Sequence, residues 1–304
     1  MRSFPLIKTI NYKRSVLTQN KFQVIKPGIQ TSIQDLGRRG YMAYGVGRSG
    51  ALDQASARIA NWLVGNDEDE ALLETIHHGL HIKFYSNCQI GITGADLGAQ
   101  INGGKANMYQ TLVIQAGDEL SFTRKTSGLR AYIAVSGGIC STRVMGSRSF
   151  HSMVDLGVEA ITGGIELKFG DQDKDFISRN LKEEERHVFT NHYTARVMPG
   201  PEYDFFSDEF VKQFGSHAFK VSPDSNRMGY RLEGFSNEIG LKGGIVSSGI
   251  YPGTIQIPSS GEPIILMNDG PTTGGYPRIG NIISQDLDFI AQLGPGDSLR
   301  FKWI

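Results

Sequence analysis

The feature that most limits what this 304-residue chain can fold into is an apolar–polar alternation of period two, which recurs from one end to the other. In the first half it runs through "HIKFYS" (81–86), "QIGIT" (89–93), "TLVIQ" (111–115), "ELSFTR" (119–124), "RAYIAVS" (130–136) and "IELKFG" (165–170). In the second half it returns in "TARVMPG" (194–200), "AFKVS" (218–222), "YRLEG" (230–234), "GTIQIP" (253–258), "PIILMND" (263–269) and "SLRFKWI" (298–304). Alternation sends successive side chains to opposite faces of an extended chain, so each segment reads as a half-buried strand. Thirty-eight glycines supply the turns and bulges between them. The fold is therefore expected to be mainly β, and the length suffices for two domains.

Three helices are expected. Asp53 is placed to cap one that runs to about Val64, with Ala55, Ile59, Trp62 and Leu63 on its apolar face and Gly65 closing it. The others fall near Asp204 to Phe214 and Asp286 to Leu293. The most charged stretch, "DQDKDFISRNLKEEERH" (171–187), has little to bury and reads as an interdomain connection. The expected organisation is a basic leader over 1–23, a first domain over 24–172, a connection over 173–190 and a second domain over 191–304. "QAGDELSFTR" (115–124) and "LGPGDSLRFKW" (293–303) echo each other, each a Gly-Asp turn followed by an alternating strand, as duplication or shared turn chemistry would produce.

Thirty-one basic and thirty-one acidic residues cancel, so no bulk positive field points to nucleic acid or anionic lipid, and the expected partners are a small molecule and other proteins. Cys88 and Cys140 lie far apart, in no metal or disulfide spacing, which fits a reducing cytoplasm. No run of about 18 apolar residues is present to span a membrane. His77, His78 and His81 do not match the HExxH zinc pattern, and no metal site is expected. No serine sits in GxSxG, and no GxxxxGK[ST] phosphate loop occurs. Gly45-x-Gly47-x-x-Gly50 has the spacing of a dinucleotide fingerprint but neither the buried strand before it nor the βαβ context after it. Its glycines read as turns that deliver a capped helix, whose end is open to an anion or merely closes the fold.

Several strings then accumulate in fixed order: "KPGIQTSIQDLGRRGY" (26–41), "SGALDQASARIANWLVGN" (49–66), "GITGADLGAQING" (91–103), "AYIAVSGGI" (131–139), "MGSRS" (145–149), "VSPDSNRMGYRLEG" (221–234), "GTIQIPSSGEPIILMND" (253–269) and "TTGGYPRIG" (272–280). Together they resemble the allophanate hydrolase subunit 2 family, also called the biotin-dependent carboxyltransferase or KipA-type family, from about residue 24 to the C-terminus. The likeness is nearest to its 5-oxoprolinase members, the C-type subunits of that enzyme, and the family also includes the carboxyltransferase portion of urea carboxylase. The resemblance implies two cyclophilin-like β-barrel domains with a few short helices. It implies a subunit 1 (KipI-type) partner and a LamB/YcsF-type subunit, which together with this chain open 5-oxoproline to glutamate with ATP, as a carbon–nitrogen (cyclic amide) hydrolase. ATP is used by the complex, with its site not assigned to this chain. The alternatives are a carboxyltransferase acting on urea or a related amide, with biotin supplied by another chain, and a regulatory protein that sequesters a subunit 1 partner. Within the motifs, Asn226 stands where the family often has aspartate, and Pro271 where it often has glutamine.

Either chemistry needs fixed donors for developing negative charge and a base for a nitrogen-bound proton. The residues expected to do this work are Asp269, Tyr276 and Glu233 as catalytic groups. Substrate contacts are expected from Gln34, Asp35, Arg38, Thr93, Asp96, Arg148, Arg227, Arg231, Gln256, Thr272 and Thr273. Arg227, Arg231 and Glu233 share one face if "RMGYRLEG" is a single strand, and Thr254 and Gln256 share another. The expected location is the cleft between the two domains.

Overall fold

The computed structural model describes residues 20–171, 178–235 and 245–304. Most of the basic leader and the start of the charged connection lie outside the described residues. The chain is mainly β, with helices α1 (Gln54–Leu63), α2 (Asp208–Ser216) and α3 (Ser284–Ile290).

In the first half the strands form two antiparallel sheets rather than one closed barrel. The seven-stranded sheet has Lys21–Pro27 and Leu80–Phe84 near its centre, and the five-stranded sheet has Ser127–Val135 between Leu72–Ile76 and Cys88–Asp96. Phe22, Val24, Ile82, Leu73, Ile90, Ile92 and Ile133 fill the space between the sheets. Burial on both faces explains why "LLETI" and "CQIGITGAD" carry near-continuous burial where alternation alone would leave one face wet. The second half does close: seven strands form a barrel around Phe214, Phe219, Ile255, Ile265 and Phe301. Its closure is made by a parallel pair, His192–Pro199 against Ser298–Trp303.

The Gly-Asp echo is a matched turn in both halves. Asp118 accepts from the Gln115 N–H at 2.8 Å and Asp297 from the Gly294 N–H at 2.7 Å, and the glycine before each aspartate takes a positive φ.

Helix α1 starts where expected, with Asp53 accepting from Ser56 N at 2.9 Å, but its buried face is Ser56, Ala57, Ala60, Asn61 and Leu63. Ala55 and Ile59 are only partly covered and Trp62 is exposed, with the Arg179 guanidinium 5.1 Å from its ring centroid. Small residues win that face because the helix lies directly on the sheet: a Cβ on Gly91 would stand 2.7 Å from Ala60 O. Helix α2 begins at Asp208, because Ser207 rather than Asp204 caps it, and Tyr203–Phe205 form a separate 3-10 turn. The described part of the charged connection is fastened to the first half, where Thr111 N donates to Arg179 O and Leu181 N to Tyr109 O, each at 2.9 Å.

Candidate functional site

The two halves meet through a buried polar cluster. Arg227, at the turn before strand Gly229–Glu233, donates to Asp269 through Nε (2.9 Å) and Nη2 (3.1 Å), to Glu74 Oε1 through Nη1 (2.5 Å), and to Gly50 O through Nη2 (2.6 Å). Glu74 comes from the first half and also accepts from Leu52 N (2.9 Å) and Tyr132 Oη (2.8 Å). Arg130 Nε lies 3.6 Å from Glu74, and its Nη1 donates to Tyr230 Oη at 2.6 Å across the interface. Two guanidiniums and two carboxylates, all nearly excluded from water, thus balance to zero. Gln292 adds a neutral staple, donating to Asp53 Oδ2 (2.7 Å) and accepting from Leu129 N and Arg130 N (2.9 Å each).

Beside this cluster, at the junction of the halves, lies a cavity of about 440 Å³. Val46, Leu156, Met228 and Pro271 give it apolar walls, and Asp269, His151, Thr272 and Thr273 give it polar groups. A small apolar cavity with a few convergent polar groups, at a domain junction, is the usual form of a ligand site. Burial disfavours the ionised Asp269, but the Arg227 charge and the hydrogen bonds from Arg227 and Ser49 outweigh it and hold the carboxyl below its usual range. Ser49 Oγ lies 2.8 Å from Asp269 Oδ1 and Ser152 N donates to Oδ2 at 3.1 Å, so with Arg227 the lone pairs are largely taken. A depressed, saturated carboxylate is a weak proton acceptor. It serves instead as the fixed negative partner that orients Arg227 and ties Ser49 and Ser152 to the second half.

The predicted residues sort by position. Asp269, Thr272 and Thr273 line the cavity, and Arg227 lies directly behind Asp269. Gln34, Asp35, Arg38 and Arg148 build the loop that leads into it. Asp35 accepts from Gly37 N (2.7 Å), Ser147 Oγ (2.7 Å), Arg148 N (2.6 Å) and Ser149 Oγ (2.5 Å). Arg38 donates to Ser149 O at 2.5 Å and Gln34 to Phe150 O at 3.1 Å, while the Arg148 side chain bonds Ser141 O. Burial lowers the Arg38 pKa against the opposing pull of Asp35 and Asp269.

Other expectations are corrected. Arg227, Arg231 and Glu233 do not share a face: a turn closed by Asn226 N to Gly229 O (3.1 Å) resets the phase, so Arg227 is buried while Arg231 and Glu233 face solvent. Thr93 holds Ser56 O of α1 at 2.7 Å, and Asp96 caps its own turn at Gly98 N (2.9 Å). Asp96 lines a larger cavity of about 670 Å³ with Lys105 and Arg186, which draws nothing from the second half. Thr254 and Gln256 do share a strand and both are buried, and Tyr276 is exposed beside the cavity loop.

The glycine fingerprint belongs to this junction. A Cβ on Gly47 would stand 2.9 Å from His151 Nε2, and Gly50 (φ +91°) passes so close to Gly37 that a Cβ would meet its N at 2.7 Å. The N-terminus of α1 is filled from within: Asp53 takes Ser56 N and Asp288 takes Gln54 N at 2.7 Å. With Arg227 fully engaged as well, neither place fits the phosphates of ATP. His151 is the residue that sequence reasoning missed; its only signal was its position two residues beyond "MGSRS".

Comparison with known proteins agrees with this architecture. A family model described as "Carboxyltransferase domain, subdomain A and B" matches residues 44–303. The C-type subunit of 5-oxoprolinase from Escherichia coli (strain K12) is 36% identical over 282 residues, covering 92% of this chain and 90% of that protein. The crystal structure of the K. lactis urea amidolyase superposes with a TM-score of 0.86 at 28% identity, covering 96% of this chain but 19% of that one. That of TTHA0988 gives 0.83 at 27% identity, covering 94% of this chain, which spans little more than half (56%) of its length. No helix among the described residues is long and apolar enough to cross a membrane. The chain belongs to the carboxyltransferase domain family, subdomains A and B.

Proposed function

We propose that this chain is the C-type subunit of a 5-oxoprolinase, a multi-subunit hydrolase that opens the cyclic amide 5-oxoproline to glutamate with ATP. The observation that carries the reading is the 36% identity with the C-type subunit of E. coli 5-oxoprolinase across nine-tenths of both chains, which leaves no large part of either unmatched. The reading includes A- and B-type partner subunits of the KipI and LamB/YcsF kinds, a cytoplasmic setting, and two domains of cyclophilin type. ATP is handled on a partner, since this chain has no phosphate loop and Arg227 is taken up by Asp269, Glu74 and Gly50 O.

The interdomain cavity suits the amide. Its apolar walls displace water from the carbonyl, which strengthens every hydrogen bond made to it. The hydroxyls of Thr272 and Thr273 make no hydrogen bond to the described residues and remain for the ligand. A second reading, carboxyl transfer to urea with biotin carried on another chain, is favoured by the fit to the K. lactis urea amidolyase. It would use the same cavity.

The test is reconstitution with the partner subunits and assay of glutamate formed from 5-oxoproline and ATP. The valine isostere Thr273→Val is expected to lower kcat/KM at least about tenfold, the effect of one lost hydrogen bond of about 1.5 kcal/mol. Arg231→Ala and Glu233→Ala, on the solvent face, stay within about twofold. Absence of ATP-dependent glutamate formation, with urea carboxylated instead when carboxybiotin is added, would replace the first reading with the second.

A further inference from the structure

His151 sits at the cavity wall with only 7% of its surface exposed. Its Nδ1 accepts from the N–H groups of Met153 (3.2 Å) and Val154 (3.3 Å). A nitrogen that accepts two N–H groups carries no proton, so the ring's single proton lies on Nε2. Nε2 has no hydrogen-bond partner among the described residues, and the space in front of it exists because residue 47 is glycine: a Cβ there would lie 2.9 Å away. Burial lowers the His151 pKa, the nearby Asp269 opposes this, and Arg38 and Arg227 add to the lowering, so the ring stays neutral near pH 7.

The ring is also held from behind. Phe150 N donates to Ile33 O at 2.9 Å, Phe150 O receives Gln34 Nε2 at 3.1 Å with Ser49 Oγ at 2.6 Å, and Ser152 N donates to Asp269. Both neighbours of His151 are therefore pinned, one to the first half and one to the second. Asp35 and Arg38 brace the segment before it.

We propose that His151 donates its Nε2 proton to the carbonyl oxygen of an amide or urea held in the interdomain cavity, and that Gly47 is the residue that keeps this donor accessible. The proposal rests on the cavity being the substrate site of the proposed function and assigns its carbonyl-binding group. A neutral, fixed N–H donor suits a carbonyl that gains negative charge as it is attacked, and it needs no reorganisation as the charge develops. The net neutrality of the surrounding Arg–Glu–Asp cluster favours a ligand group that is itself uncharged.

Two substitutions separate this role from support of the loop. His151→Asn keeps an acceptor near Nδ1 but removes the distal donor, whereas His151→Gln restores an N–H near Nε2 and loses the acceptor. In the reconstituted complex, His151→Asn is expected to lower kcat about 100-fold with a smaller change in KM, the usual loss for one such donor. His151→Gln recovers most of the rate, and Gly47→Ala loses it as His151→Asn does. His151→Asn at wild-type rate, or as active as His151→Gln, overturns the proposal.

The ¹⁵N resonances of histidine-labelled chain give a readout free of turnover, with His151 assigned by its loss in His151→Asn. An Nε2–H tautomer whose Nε2 signal moves on addition of 5-oxoproline, of urea, or of both supports the donor and identifies the ligand. An Nε2 signal that neither compound moves in the folded chain refutes it. A shift without glutamate formation by the wild-type complex would leave the donor standing and remove only the 5-oxoprolinase reading.

Discussion

Replacing Glu74 by glutamine tests whether the polar cluster between the halves holds the molecule together as a unit. Every group around this carboxylate is a donor: Arg227 Nη1 and Arg130 Nε on Oε1, Leu52 N and Tyr132 Oη on Oε2. Even with the Tyr132 hydroxyl turned away, Leu52 N is a backbone donor that cannot reverse its role. A glutamine of the same shape must therefore turn its NH₂ toward donors whichever way it flips. It also leaves Arg130 and Arg227 facing Asp269 alone, one uncompensated positive charge in a site where these side chains are 4% exposed or less. Breaking a buried pair in this way costs about 3–5 kcal/mol, a large share of a total stability of about 5–15 kcal/mol. Urea unfolding, followed by fluorescence, is expected to show this loss for Glu74→Gln. Glu166→Gln, which removes an exposed partner of Lys21, should cost less than about 1 kcal/mol. If Glu74→Gln unfolds within about 1 kcal/mol of the wild type, the cluster does not bind the halves and the electrostatic account of the interface is wrong.

Two further outcomes follow from the same junction. Burial, reinforced by the neighbouring Asp53, raises the Asp288 pKa to about 7, so ionising it opposes the fold. Stability from this group is complete below the unfolded carboxyl range near pH 4 and is lost as pH rises through about 7. Asp288→Asn keeps an acceptor for Gln54 N and is expected to stabilise the chain at pH 8 but not at pH 4, read as shifts in urea midpoint; an equal shift at both would contradict the assignment. Gly50→Ala places a Cβ 2.7 Å from Gly37 N at φ +91° and is expected to cost more than about 2 kcal/mol, whereas Gly45→Ala, at φ +80° with open space around it, costs about 1. Equal melting temperatures for the two variants would show that close approach at Gly50 does not matter.

The parts of the fold legible in the sequence were those set by short-range rules. Period-two alternation located the strands, Asp53 announced the start of α1, and the Gly-Asp turns at 117–118 and 296–297 repeated in space as they do in the chain. The buried face of α1 was not legible, because Ala57 and Ala60 were selected by the closeness of the sheet at Gly91 and not by hydrophobicity. Periodicity prefers Trp62, which is large and apolar, and only tertiary contact reveals that a small face packs closer. Whether a set of antiparallel strands closes into a barrel depends on pairing between the first and last of them, and alternation carries no information about partners; hence the second half closes through the parallel pair of 192–199 with 298–303 while the first half remains two sheets.

At the site, the same division explains which residues were found. Asp269, Arg227, Thr272 and Thr273 stood in motifs whose composition already required a reason, and their positions at the cavity supply one. Arg231 and Glu233 were linked to Arg227 by counting along an assumed strand, and a single turn at 226–229 was enough to leave Arg227 buried and the other two exposed. His151 could not be found by counting at all. Its function depends on an acceptor bond to its own loop, and on Gln34, Asp35 and the missing side chain of Gly47, which lie more than a hundred residues before it in the sequence. The Gly45-x-Gly47-x-x-Gly50 spacing that imitates a nucleotide turn is thus the trace of two separate close approaches. Gly47 leaves room at Nε2 of an imidazole, and Gly50 lets its own carbonyl reach Arg227 while its backbone crosses Gly37. Glycines required by different neighbours can fall at a familiar spacing, and only the identity of those neighbours separates a phosphate cradle from a domain junction.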